Sequence, residues 1–111
     1  MIKSIKKIIG NNIYWYKEGT EILHREDGPA IEYDNGYKEY YLNGKYHRED
    51  GPAIERANGD KFYCLNGKLH REDGPAIEYV DGVKAYYYHG EHIKCSTNKE
   101  FKQSIKMKAF W

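Results

Sequence analysis

The sequence is short of cysteine, of long apolar runs and of net charge, and each shortage excludes a class of protein. Two cysteines, Cys64 and Cys95, in 111 residues cannot build the disulfide framework of a small secreted domain, so a reduced, cytoplasmic setting is expected. No stretch approaches the roughly 20 apolar residues of a membrane span. The opening segment interrupts Ile5, Ile8 and Ile9 with Lys6 and Lys7 and so lacks the continuous apolar stretch of a secretion signal. With 18 basic against 17 acidic side chains the formal charge is +1, and a strong non-specific pull on nucleic acid is not expected. Proline occurs three times, each time inside one recurring phrase.

That phrase, His-Arg-Glu-Asp-Gly-Pro-Ala-Ile-Glu, stands at His24–Glu32, His47–Glu55 and His70–Glu78, spaced by 23 residues each time. A fixed period of this length marks a repeat architecture in which each copy buries its apolar side against its neighbours. The copies are 24–46, 47–69 and 70–92. A degenerate copy over 1–23 precedes them, with Tyr14-Trp15-Tyr16 aligned to Tyr40-Tyr41-Leu42 at an offset of 26. A single domain, 1–111, is expected, because the chain is too short for two separate cores. Twelve tyrosines imply that burial rests largely on amphipathic rings.

Each copy carries two turn signals. Asn35-Gly36, Asn58-Gly59 and Asp81-Gly82 form one set, and Asn43-Gly44, Asn66-Gly67 and His89-Gly90 the other. Such dipeptides favour two-residue hairpin turns, which predicts two strands per copy, near 30–34 and 37–42 and their equivalents, after strands at 4–9 and 12–17. A two-residue turn at Asn35-Gly36 sets Glu32 opposite Glu39 and Ile31 opposite Tyr40. One face then holds Ile31, Tyr33, Lys38 and Tyr40 and repeats faithfully, while the other holds Ala30, Glu32, Tyr37, Glu39 and Tyr41 and varies. Beyond Cys95, Thr97 and Glu100 form a capping-box pattern, and Phe101, Ile105 and Ala109 follow at helical spacing. The fold expected is mainly β, a meander of hairpins closed by a helical cap over 96–111, with Phe110 and Trp111 tucked at its end.

The period, the aromatic pair before Asn-Gly-Lys in Tyr40-Tyr41-Leu42-Asn43-Gly44-Lys45, and the following His47 resemble the MORN repeat family over about residues 4–95. The resemblance implies hairpins stacked into an elongated, twisted single sheet that serves as a scaffold for protein contacts and sometimes lipid contacts. This chain departs from the family pattern in placing Arg48-Glu49-Asp50 before Gly51. The His-Arg-Glu-Asp-Gly-Pro-Ala variant is similar to repeats of bacterial, phage and large-virus proteins, which implies a regulator that inhibits a host factor.

Function is read from comparison among the copies: positions required by the repeat recur, and positions free of that demand diverge to suit a partner. A non-enzymatic protein-binding module is therefore expected, with Tyr37, Glu39, Tyr41, Phe62, Cys64 and Tyr87 as binding residues and Arg56 at their margin. Trp15, Tyr41, Cys64 and Tyr87 form one aromatic stripe that is either open to a partner or covered by the helix. The alternative is a small-molecule or nucleotide-sequestering protein whose tyrosines stack on a base while Arg56, Lys61 or a histidine holds a phosphate. An enzyme using the His-Arg-Glu-Asp segments is third, since three equivalent copies suit charge ladders better than one special site. Single replacement of Arg48 or Glu49 is then expected to cost about 1 kcal/mol or less. His89, His92 and Cys95 have spacings compatible with metal ligation, but a zinc site needs four convergent ligands, and neither metal nor cofactor is expected. A homodimer through an open sheet edge is compatible with the repeat.

Overall fold

The computed structural model describes residues 2–108. Among them the strands are β1 (Ser4–Ile9), β2 (Asn12–Lys17), β3 (Ile31–Glu32), β4 (Lys38–Glu39), β5 (Tyr41–Leu42), β6 (Lys45–Tyr46), β7 (Ile54–Glu55), β8 (Lys61–Phe62), β9 (Cys64–Leu65), β10 (Lys68–Leu69), β11 (Ile77–Glu78), β12 (Lys84–Tyr88) and β13 (Glu91–Ile93). One helix, α1 (Asn98–Lys108), follows. Nine strands form one antiparallel sheet in the order β1-β2-β3-β4-β7-β8-β11-β12-β13, while β5–β6 and β9–β10 pair separately. The result is a hairpin meander with a capping helix, a plate of 44 × 32 × 17 Å.

β1 and β2 have the bounds read from the sequence. The run 37–42 does not form one strand: it breaks at Tyr40, leaves the main sheet and folds into a second hairpin, β5–β6. The copy at 47–69 does the same through β9–β10. Strands at 45–46, 68–69 and 91–93 are thus additions to the two per copy that were expected. Their turns behave as the dipeptides predict. Asn43 and Gly44 have φ of 53° and 77°, and Asn66-Gly67 and His89-Gly90 are likewise positive at both positions, with Leu42 opposite Lys45. Both central residues at positive φ define the tight turn that matches strand twist.

The other turns correct the expected register. Glu32 pairs with Lys38 and Ile31 with Glu39, so the loop is Asp34-Asn35-Gly36 rather than Asn35-Gly36 alone. Only Gly36 has positive φ, 94°, and the Asn35 side chain accepts the Tyr37 N–H at 3.0 Å. Asn58 and Asp81 bond their loops in the same way. This is the three-residue hairpin, in which a glycine after an ordinary turn makes a bulge. A slip of one residue exchanges the faces of one strand against its neighbour, and the expected faces are therefore recombined.

The arginine face carries Ala30, Glu32, Lys38 and Tyr40 with their equivalents. Across it runs Glu32, Lys38, Glu55, Lys61, Glu78 and Lys84, opposite charges paired strand by strand, an arrangement that favours this register over its neighbours. The tyrosine face carries Ile31, Tyr33, Tyr37, Glu39 and Tyr41, then Ile54, Arg56, Phe62 and Cys64, then Ile77 and Tyr79. Ala30, Ala53 and Ala76 are fully buried, and Ile31, Ile77 and Tyr86 nearly so. Ile54, Tyr40 and Tyr63, expected among the most buried, are only partly buried. A sheet one layer thick has nothing to lay over them except neighbouring side chains.

Glu100 N–H donates to Thr97 Oγ1 at 3.1 Å while the Glu100 carboxylate accepts from Ser96 N–H, which sets the start of α1 as the capping pattern predicts. Phe101 is fully buried against Tyr86 and Ile93, with Tyr88, Cys95 and Ile105 around them. Ala109, Phe110 and Trp111 lie outside the described residues.

Candidate functional site

The His-Arg-Glu-Asp-Gly-Pro segments are the chain's densest collection of chemical groups, and their geometry commits most of them. Arg48 Nε donates to Asp50 at 3.2 Å, and Nη1 donates to the Pro52 carbonyl at 3.2 Å and to Glu55 at 2.9 Å. Its guanidinium lies 4.0 Å from the centre of the Tyr40 ring. Arg71 repeats this over Tyr63 with Asp73, Pro75 and Glu78. Arg25 lies over Trp15 at 4.2 Å and bonds Asp27 and Pro29. Trp15 therefore stands in the row of Tyr40, Tyr63 and Tyr86, an offset of 25 and not 26. Backbone bonds agree, since Trp15, Tyr40 and Tyr63 each donate to the carbonyl of the alanine beside them, at 2.7 Å.

The histidines brace a turn within their own copies. Nδ1 of His24, His47 and His70 accepts the backbone N–H of Asn43, Asn66 and His89 at 2.9, 3.0 and 2.7 Å. Each accepted N–H belongs to the first left-handed residue of the tight turn near the end of the same copy. Nδ1 as acceptor fixes the neutral ring with its proton on Nε2, so protonating His70 would set two donors face to face. Burial first, and the nearby His89, hold the His70 pKa below its ordinary 6.5. The unfolded chain therefore binds this proton more readily than the folded one. The contribution is full above about pH 6.5 and is lost as pH falls through the lower folded value. A thermal melt series from pH 8 to pH 5 should show the midpoint falling, with a shallower fall in His70→Gln. A wild-type midpoint that is flat or rises on acidification would contradict this role.

The seven expected binding residues fall on the tyrosine face. Tyr37 meets Tyr33 edge to face at 5.1 Å, Tyr41 stacks on Tyr46 at 4.6 Å, and Tyr41 Oη donates to the buried Glu39 at 2.9 Å. Arg56, expected at the margin from the opposite face, lies over the Phe62 ring at 4.7 Å, and Phe62 meets Tyr79 edge-on. Burial, with Glu39 beside it, pushes Tyr37 up to about 12, and burial with Tyr46 and Glu39 raises Tyr41 further, so both rings remain neutral donors at physiological pH. Tyr87 is set apart against His92 at 5.1 Å. Cys64 is buried, and burial lifts its thiol to about 11. Its place is in packing.

The expected aromatic stripe needs Tyr16 in place of Trp15: Tyr16, Tyr41, Cys64 and Tyr87 share one row, bridged to Leu23, Tyr46, Leu69 and His92. The helix packs on Tyr86 in the other row. Tyr33, Tyr46 and Tyr79 belong to the tyrosine face but escaped the sequence reading, because the assumed register put Tyr33 and Tyr79 on the opposite side and left Tyr46 outside any strand. Asp60 shows that divergence between copies also serves the stack. It is buried and accepts Val80 N–H at 2.8 Å, the bond that chiefly holds its carboxyl below the ordinary range.

The other candidate groups diverge. Arg56 and Lys61 lie on opposite faces, so they do not converge on one phosphate. His89 stacks on His70, His92 lies on Tyr87, and Cys95 packs beside the Phe101 cluster. Among the described residues no three His, Cys, Asp or Glu side chains are grouped as metal ligands, and no helix is long and apolar enough to cross a membrane. The chain matches no known family, no curated protein and no solved structure with which it was compared.

Proposed function

We propose that the chain is a non-enzymatic protein-binding repeat module that recognises its partner through the tyrosine face. The observation that carries this reading is the grouping of Tyr33, Tyr37, Tyr41, Tyr46, Arg56, Phe62 and Tyr79 on one side of a thin sheet, away from α1. Tyrosine and arginine are the residues that most often carry binding energy at interfaces, and rings braced against one another lose little conformational freedom when a partner docks. The partner best suited is a protein surface with apolar side chains for the rings and an acceptor for the part of the Arg56 guanidinium not engaged by Asp60 at 3.5 Å, the Arg56 side chain being 47 % exposed. The resemblance to MORN repeats favours the same class, and its phage and large-virus variant suggests an intracellular regulator that inhibits a host factor. An enzymatic reading is weakened by the three repeated histidines, whose Nδ1 atoms each accept a turn N–H, and by the three repeated arginines, each of which bonds a loop carbonyl and a carboxylate.

The test is a parallel capture from host lysate with the wild-type chain and the Tyr37→Ala/Arg56→Ala variant as baits. Captured proteins are identified by mass spectrometry, and the purified partner is titrated calorimetrically. One partner should bind the wild type, and the variant should keep its melting temperature within a few degrees while binding at least about tenfold more weakly, as loss of a central anchor predicts. Equal binding by both baits, or no selective capture, would refute the assignment.

A further inference from the structure

The two edges of the main sheet are unlike. At one end, β13 lies beneath α1, with Ile93 packed on Phe101 and Glu91 bonded to Lys108 at 2.8 Å. At the other end β1 pairs with β2 on one side only, and among the described residues no other strand pairs with it. Glu18 N–H donates to the Lys3 carbonyl at 3.0 Å, so residues 3, 5, 7 and 9 turn their backbone groups toward β2. The backbone N–H and C=O of Ser4, Lys6 and Ile8 consequently point outward. Ile8 and Ile9 are 66 % and 56 % exposed. Residues 2–9 contain Lys3, Lys6 and Lys7 and no acid, and neither Lys6 nor Lys7 pairs with a carboxylate among the described residues. An unpaired edge of this kind is a template for another strand.

A second copy of the chain fits it badly. Antiparallel self-pairing must oppose outward-pointing residues with outward-pointing ones, and the two such registers of Ser4–Ile9 that oppose five residues set Lys6 against Lys6 or Lys7 against Lys7 of the other copy. Like charges directly opposite one another destabilise a strand pair. An incoming strand with acids opposite Lys6 and Lys7 and apolar residues opposite Ile5, Ile8 and Ile9 instead pairs every side chain favourably. We infer that β1 is a docking edge for an extended acidic–apolar segment of another protein, added antiparallel as one more strand. This surface is separate from the tyrosine face and does not depend on it.

The probe is a capped synthetic peptide, Val-Val-Glu-Glu-Val-Thr, with Val-Val-Lys-Lys-Val-Thr as control, followed by amide hydrogen exchange on the full chain. The acidic peptide should slow exchange at Ser4, Lys6 and Ile8 by about tenfold or more, since newly bonded amides gain protection, and should leave Ile5, Lys7 and Ile9 little changed. The control should do nothing, and added salt should weaken the effect. Lys6→Pro removes only an outward N–H, which an edge strand tolerates, and should abolish the protection without altering the circular dichroism. In Lys6→Glu/Lys7→Glu the preference should switch to the basic peptide, which tests the idea even if the proline variant fails to fold. Equal effects of both peptides, absence of protection, or changes confined to the tyrosine face would overturn it. Protection of the same amides with a doubled mass in sedimentation, and no peptide, would make a second copy the occupant and overturn it as well.

Discussion

Phe101→Ala should cost about 3–5 kcal/mol, the range for deleting a fully buried aromatic side chain, and should release α1 from the sheet. Phe101 is fully buried, and its ring centre lies 5.2 Å from that of Tyr86. An 11-residue helix is marginal in water without a surface to pack on, and α1 buries no other side chain completely. The Tyr86 hydroxyl, which donates to Asn98 at 2.9 Å, should lose that acceptor when the helix leaves. In a stack where each unit touches only its neighbours, the loss first uncovers β12 and β13 and then propagates. Far-UV circular dichroism should therefore lose its helical component at a lower temperature than the sheet signal, where the wild type melts as one. An unchanged helical signal and midpoint would show that α1 is held by something other than Phe101.

The sequence makes the repeat, the bounds of β1 and β2, the left-handed tight turns and the capped helix legible, because each is written in local chemistry. The register of the other hairpins is less so. Asn-Gly serves both a two-residue turn with two left-handed residues and a three-residue loop with one, and Asn43-Gly44 and Asn35-Gly36 take different options. The discriminating signal lies further out: only the three-residue loop sets Glu32 against Lys38, Glu55 against Lys61 and Glu78 against Lys84. Scoring both registers for opposed charge would have found the faces, and with them Tyr33 and Tyr79 in the candidate site. The tasks of the histidines are not legible at all. His24 and Asn43 lie 19 residues apart, and nothing local announces that the imidazole opening a copy will accept the N–H of the turn near its end.

The row that ends at Phe101 also explains why arginine stands second in the repeated phrase. Trp15, Tyr40 and Tyr63 are each covered by the arginine of a following phrase. By the period of 23, the residue that should cover Tyr86 is Lys94. Lysine has no planar fork to lay on a ring while bonding three acceptors, and Phe101 covers Tyr86 in its place. The guanidinium is then a packing element as much as a charge.

Arg48→Ala should accordingly cost about 2–3 kcal/mol, well above the 1 kcal/mol that an exposed ion pair would contribute. Two of its bonds go to acceptors that are not fully solvated, the carbonyl of buried Pro52 and the half-buried Glu55, and such charge-assisted bonds outweigh neutral ones. The contact with Tyr40 adds a further fraction to about 2 kcal/mol. The Asp50 partner is 89 % exposed and contributes little. Glu49→Ala, in contrast, should stay within about 0.5 kcal/mol, because its side chain is 84 % exposed. Arg25→Ala should fall between, as among the described residues Arg25 bonds only Asp27 and Pro29. Gly51 supplies the internal control. A Cβ there would lie 2.9 Å from Arg48 Cζ, so Gly51→Ala should destabilise the wild type and be far milder once Arg48 is alanine. Urea melts of the two single variants and the double variant measure that coupling. Additive losses, or an Arg48→Ala protein as stable as Glu49→Ala, would mean that the loop does not close around the guanidinium and that the repeated arginine answers to a partner rather than to the fold.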